Sequence, residues 1–176
     1  CDAQFLLGII YSEGKYIEKD INKAMKYFSL VSNHDDPKAH YNVGLVYYLG
    51  KYIEQDVKKA IYHFTLAANQ NYSEAQHILG TIYLEGEYVE QNTDKAIHYL
   101  KLASDQGNFG SCYDLGLIYY EGINTKQDIN KAIHYFTLAA DQNHLKSQLL
   151  LGALYSENEC VEQNISKSVH YLTLAS

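Results

Sequence analysis

Histidine, cysteine and carboxylate side chains are the groups in this chain able to hold a metal, attack a substrate or move a proton. Their spacing argues against all three. His98, His134 and His170 recur 36 residues apart, with Tyr62 in the same place one interval earlier. A ladder of imidazoles invites a zinc reading. Packed neighbouring helices, however, lie about 8–10 Å apart, whereas zinc takes its ligands at about 2 Å. These histidines therefore belong on an exposed outer face. Cys112 and Cys160 fall in different repeats and show no triad spacing. The recurring glycines are spread through the chain rather than clustered, so none forms a phosphate-cradling loop before a helix. No enzyme motif emerges, and no metal or cofactor is implied.

What the spacing does specify is a repeat. Gly8, Gly44, Gly80, Gly116 and Gly152 lie 36 residues apart, each followed three residues on by Tyr11, Tyr47, Tyr83, Tyr119 or Tyr155. A second glycine follows in four copies (Gly14, Gly50, Gly86, Gly122), with Asn158 in the fifth. Ala24, Ala60, Ala96, Ala132 and Ser168 close the series. A fixed period of this length marks an array whose units stack on their neighbours. The copies run 3–38, 39–74, 75–110, 111–146 and an incomplete 147–176, making one repeat domain over 1–176.

Within the second copy, Ala39, Val43, Val46 and Tyr47 fall on one face of a first helix. Gly44 lies inside that helix at a cost of about 1 kcal/mol relative to Ala, which implies a packing reason: a second helix approaches closely there. Gly50 ends the helix as a left-handed residue. Asp20, Asp56, Asn92, Asp128 and Asn164 are N-caps for the second helices. Val57, Ala60, Ile61, Phe64, Ala67 and Ala68 form the apolar stripe of the second copy's second helix. Asp35, Asn71, Gly107 and Asn143 suit left-handed C-terminal turns. The fold class is all-α, an α-solenoid of about five helix-turn-helix units.

Composition narrows the function. All fourteen basic residues are lysine and the net charge is -7, which opposes binding to a phosphate backbone. No apolar run reaches the ~20 residues of a membrane span. Three cysteines, Cys1, Cys112 and Cys160, cannot all pair within the chain and point to a reducing, cytoplasmic compartment, with a secretory lumen left open. The sequons at Asn71 and Asn164 are read as chance. The chain starts at Cys1 and stops at Ser176 inside an expected helix, as a piece of a longer protein would.

The pattern Ala-x3-(hydrophobic)-Gly-x2-Tyr-x2-Gly, then Asp/Asn-x3-Ala and a closing Ala-Ala, resembles the Sel-1-like repeat, a relative of the tetratricopeptide repeat. In the fourth copy it reads Leu115, Gly116, Tyr119, Gly122, Asp128, Ala132, Phe136, Ala139 and Ala140. The first copy departs with Val31 and Ser32, the fifth with Asn158 and Ser168. The resemblance implies a right-handed superhelix that serves as an adaptor or scaffold for a protein or peptide partner. A regulatory segment tethered to a catalytic domain, such as a kinase, is the alternative. A hydrolase hidden in the groove would need a nucleophile–base pair that the repeat positions do not display. The cysteine pair of secreted family members is absent. A pentatricopeptide array, which reads RNA, would be basic and lacks the Leu-Gly-x2-Tyr signature.

In related repeats the face opposite the buried stripe of the first helix lines a concave groove. Its places here hold Tyr41, Leu45, Tyr48, His77, Leu84, Tyr113, Leu117 and Tyr120, with Glu85 and Glu121 alongside. Aromatic residues with a polar rim are what peptide-binding surfaces use, and the glutamates would select basic or amide-rich segments. Packing against a neighbouring first helix is the competing reading for any single residue; for the central set a binding surface is preferred. The tyrosines are expected to face away from the buried stripe. Phe5, Ile9, Tyr41 and Leu45 stand where a carboxylate clamp would need Lys and Asn, so capture of a peptide C-terminus is disfavoured.

Overall fold

The computed structural model describes residues 2–32, 36–157 and 164–176. Among the described residues ten α-helices alternate first and second members of the repeat: α1 Asp2–Glu13, α2 Ile21–Ser32, α3 Pro37–Leu49, α4 Val57–Asn69, α5 Ser73–Glu85, α6 Thr93–Ser104, α7 Phe109–Glu121, α8 Ile129–Ala140, α9 Leu145–Glu157 and α10 Ile165–Leu174. No strand occurs among the described residues. The fold is all-α, as the sequence predicts. Cys1, Asp35, Asn158 and Cys160 lie outside the described residues.

The helices start and stop where the local chemistry places them. Asp20, Asp56, Asn92, Asp128 and Asn164 each accept from the backbone N–H three residues on, at 2.9–3.0 Å. This satisfies a donor that the first turn leaves open. At the far end of the second helices, Asn71, Gly107 and Asn143 take positive φ. The following N–H then returns to the carbonyl five residues earlier, at 3.1 Å in all three, which closes the helix as a left-handed cap does.

The recurring glycine is a contact, as its position inside a helix predicts. A Cβ on Gly44 would stand 2.6 Å from the Phe64 ring, and one on Gly80 2.6 Å from Leu100 of the second helix in the same repeat. Gly8, Gly116 and Gly152 meet Phe28, Phe136 and Leu172 in the same way. Lacking a side chain, each glycine lets the two helices of its repeat close on one large apolar residue.

The chain divides into two compact units, Cys1–Leu79 and Gly80–Ser176. In the first unit, Phe28, Val31, Val43, Phe64 and Leu79 are fully buried. Gln76 at the start of α5 donates its side-chain N–H to the Ala68 carbonyl of α4, at 3.1 Å. In the second unit Leu100, Leu115, Ile118, Phe136 and Leu151 form one core cluster. Gln148 there makes the same bond to the Ala140 carbonyl. Ser168, where other copies have Ala, is accommodated: it is buried and its hydroxyl donates to the Gly152 carbonyl at 2.8 Å.

A further device repeats that the spacing does not announce. Lys23, Lys59, Lys95, Lys131 and Lys167 each hold their ammonium 4.9–5.3 Å from the ring centre of Tyr11, Tyr47, Tyr83, Tyr119 or Tyr155. Three of these lysines also pair with the N-cap aspartate at 3.0–3.3 Å. The same tyrosines stack on Tyr27, Tyr99, Tyr135 and Tyr171 of the second helices. In the second copy His63 takes that place, stacked on Tyr47. Its Nδ1 lies 3.4 Å from Nδ1 of buried His40. Burial, then the facing imidazole, pushes His63 down to about 4.

Candidate functional site

The face proposed from sequence is present in each unit as an aromatic platform laid on the core. In the first unit the rings of Tyr41 and Tyr48 lie 6.0 and 6.1 Å from the buried ring of Phe64. Tyr72, in the turn before α5, adds a contact at 5.1 Å to Tyr41. In the second unit Tyr113 and Tyr120 flank Phe136 at 6.0 and 6.3 Å, and His144 lies 4.7 Å from Tyr113. Phe109, 51% exposed, continues this set onto His144 at 5.6 Å.

These positions correct one expectation. The tyrosines do not face away from the buried stripe. A tyrosine ring is long enough to lean from its own helix onto the phenylalanine of the partner helix, so each is half-buried, with one part of the ring on the core and the rest open. The ring contacts of Tyr41 and Tyr113 run to the second helix of the same repeat and to the turn that follows it, rather than to a neighbouring first helix.

The remaining predicted residues divide by unit. Leu84, Leu117, Tyr113 and Tyr120 all pack on the core cluster of the second unit. Leu45 and His77 are half-buried in the first unit, and Glu85 and Glu121 lie in the second, both exposed at the ends of their helices. Burial raises the Tyr41 hydroxyl, with Glu74 adding to it, and burial, then Asp114 and Glu121, raises that of Tyr113. His98, His134 and His170 are exposed, as expected, and each leans edge-on against the next tyrosine in sequence.

Sequence reasoning missed Tyr72, Phe109 and His144. A signal existed at twice the repeat period: Tyr41, Tyr48, Phe64 and Tyr72 recur 72 residues on as Tyr113, Tyr120, Phe136 and His144. Among the described residues no group of three or more His, Cys, Asp or Glu side chains is placed to hold a metal. Cys112 is buried beside Ser104, Sγ to Oγ 3.0 Å. Burial first of all pushes its thiol up, the reverse of what a nucleophile needs.

The profile of the Sel1 repeat matches residues 1–36, 37–72, 73–108, 110–144 and 145–176. The chain belongs to the Sel1 repeat family. Among solved structures it is similar to a protective antigen present in uropathogenic Escherichia coli strains that displays this fold, with TM-score 0.86 and 30% identity. That match covers 99% of this chain and 37% of the antigen, so the chain spans little more than a third of it. A Sel1 repeat protein from Oxalobacter formigenes aligns with TM-score 0.82 and 26% identity, over 99% of this chain and 71% of that one. The Pseudomonas aeruginosa immunity protein Pa5087 aligns with TM-score 0.60 and 21% identity over 99% of this chain and 67% of its own, which speaks to fold alone. No curated protein matches by sequence. Sel1 repeats are commonly protein-interaction scaffolds and generally non-catalytic. No helix among the described residues is long and apolar enough to cross a membrane.

Proposed function

We propose that this Sel1 repeat chain is a non-enzymatic docking module whose tyrosine platforms take a protein or peptide partner. The observation that carries the reading is the recurrence of a half-open tyrosine pair around a buried phenylalanine, Tyr41 and Tyr48 on Phe64 and then Tyr113 and Tyr120 on Phe136. Packing alone needs no such pair: the third copy has His77 and Leu84 at the same places and buries Leu100 completely. Rings held rigid on one side and open on the other present contact area with little entropy left to lose, which is what interface hot spots use. In the first unit Leu45 extends the apolar surface and His77 gives it a polar neighbour; in the second, Leu84 and Leu117 extend it and Glu85 and Glu121 are its polar neighbours.

The test is replacement of Tyr41, Tyr113 and Tyr120 by Ala, with His98 and His134 to Ala as the outer-face control. Binding to a partner protein isolated with the wild-type chain should weaken at least about tenfold in the triple variant and stay unchanged in the control. Each ring also rests on the core, so binding is compared where denaturant curves show both variants folded. A triple variant that bound normally beside a histidine variant that did not would move the site to the outer face and overturn the reading.

A further inference from the structure

Two histidines depart from the repeat together. At the place of His40 the other copies hold Gln4, Gln76, Cys112 and Gln148, and at the place of His63 they hold Tyr27, Tyr99, Tyr135 and Tyr171. The second copy alone has histidine at either place, and it has it at both. Packing does not ask for the change. The other tyrosines stack on the first helix as His63 stacks on Tyr47, and Gln76 and Gln148 bond to a carbonyl of the preceding helix.

The two imidazoles meet nitrogen to nitrogen. Their Nδ1 atoms are 3.4 Å apart while the ring centres are 5.7 Å apart, so the nitrogen edges face each other. That gap is long for an N–H hydrogen bond, where about 2.7–3.2 Å is usual. It is the gap between two nitrogens on one tetrahedral metal ion, whose ligands at about 2.0–2.1 Å stand about 3.3–3.4 Å from each other. The plane of His63 is held from two sides: Tyr47 lies parallel to it within 5°, and Tyr62 meets it edge-on. Tyr47 is itself anchored, its hydroxyl 3.9 Å from Sδ of Met25. Burial, then the facing imidazole, keeps His63 uncharged at neutral pH, the form that a metal binds.

We propose that His40 and His63 form a half-site for a transition-metal ion such as zinc, bound through both Nδ1 atoms. The ion would sit beside the line joining the nitrogens, reached by a small turn of each ring about its Cβ–Cγ bond. Imidazole suits zinc and copper better than it suits magnesium or calcium. His40 is buried and His63 half-buried, so the remaining positions on the ion fall to water on the His63 side. Two protein ligands are one fewer than a catalytic zinc site has, which makes the binding weaker and reversible. The inference is independent of the docking reading and uses neither tyrosine platform.

The experiment titrates the full chain, stripped of metal by a chelator, with zinc chloride, by calorimetry and by following histidine ring resonances in NMR. Zinc should shift the rings of His40 and His63 before those of His98, His134 and His170. His40→Gln and His63→Tyr each install what other copies carry, so both should fold, which denaturant curves check. Each should weaken this binding more than about tenfold, since even groups that touch a metal only through its ligands are worth about 10–100-fold. His98→Ala with His134→Ala should leave it unchanged. Zinc should raise the Tm of the wild type and not that of His63→Tyr. Zinc bound as tightly by both single variants as by the wild type would lie on cysteines or outer histidines, and the half-site would be overturned. Wild-type resonances of His40 and His63 that stayed fixed in excess zinc would overturn it too, and the pair would then be a hydrogen bond alone.

Discussion

Gly44→Ala sets two effects of opposite sign against each other, and the structure says which wins. Inside a helix Ala is better than Gly by about 1 kcal/mol. The added Cβ would stand 2.6 and 2.7 Å from two atoms of the Phe64 ring, whereas carbon atoms rest at about 3.5–4.0 Å. The ring must therefore retreat by roughly 1 Å. It has little room, being fully buried with Tyr41 and Tyr48 on its flanks. Overpacking in such a place falls at the upper end of about 1–3 kcal/mol. Subtracting the gain in helix propensity leaves a net loss of about 2 kcal/mol. For a chain of this size that is a fall in Tm of about 4–8 °C, measurable by calorimetry or as a lower urea midpoint. Gly107→Ala is the control, because a Cβ there meets nothing within 4 Å while φ is +81°. Its loss, about 1 kcal/mol, comes from the backbone alone. A Gly44→Ala protein as stable as wild type would show that the ring slides freely, and the glycine contact would no longer explain the repeat.

Gly80→Leu should destabilise more than Gly44→Ala, because Leu100 and the Ala96 carbonyl stand 2.6 and 3.3 Å from the new Cβ; an unchanged denaturant midpoint would refute the helix pairing. Acidification should cost stability through His63. Its unfolded value of 6.5 drops to about 4 in the fold, so below about pH 6.5 the unfolded chain takes up a proton that the folded chain resists. The full interval corresponds to about 3 kcal/mol, and partial exposure brings this to roughly 1–2 kcal/mol, lost as pH falls from about 6.5 to about 4. His63→Tyr, which installs the residue of the other repeats, should remove that part of the slope in urea titrations. Asp56→Ala should lose a cap, about 1 kcal/mol by urea denaturation, and free Lys59 from its ion pair while leaving the ammonium near Tyr47.

The helices, their caps and the glycine contacts were legible in the sequence because each is a local matter. A period of about 3.6 residues places Val43, Val46 and Tyr47 on one face, and an aspartate before a helix has few other uses. The direction of Tyr41 and Tyr113 was not legible. Periodicity assigns a residue to a face but does not say how far a ring of that length leans, and here it reaches the partner helix. Phe109 and His144 escaped for another reason. They sit at the seam between copies, where the 36-residue pattern is weakest, and only the doubled interval links His144 to Tyr72. The lysines over tyrosines were hidden because their partners come from separate helices brought together by the intervening loop.

That loop carries a consequence for how such a chain can change over generations. Gln55, Gln91 and Gln127 each reach back to the carbonyl of Tyr48, Leu84 or Tyr120, seven residues earlier, at 2.7–2.8 Å. The N-cap residues add backbone bonds to Tyr47, Tyr83 and Tyr119 at 2.9–3.0 Å. All of these fastenings begin and end inside one copy. A 36-residue stretch of gene can therefore be gained, lost or exchanged in frame with its loop closed and its lysine already seated. What a newly arrived copy must find is a neighbour that offers the carbonyl Gln76 or Gln148 now uses. Recognition would then spread by shuffling whole cassettes, and the recurrence of the tyrosine platform two copies apart is the trace that duplication of a paired cassette would leave.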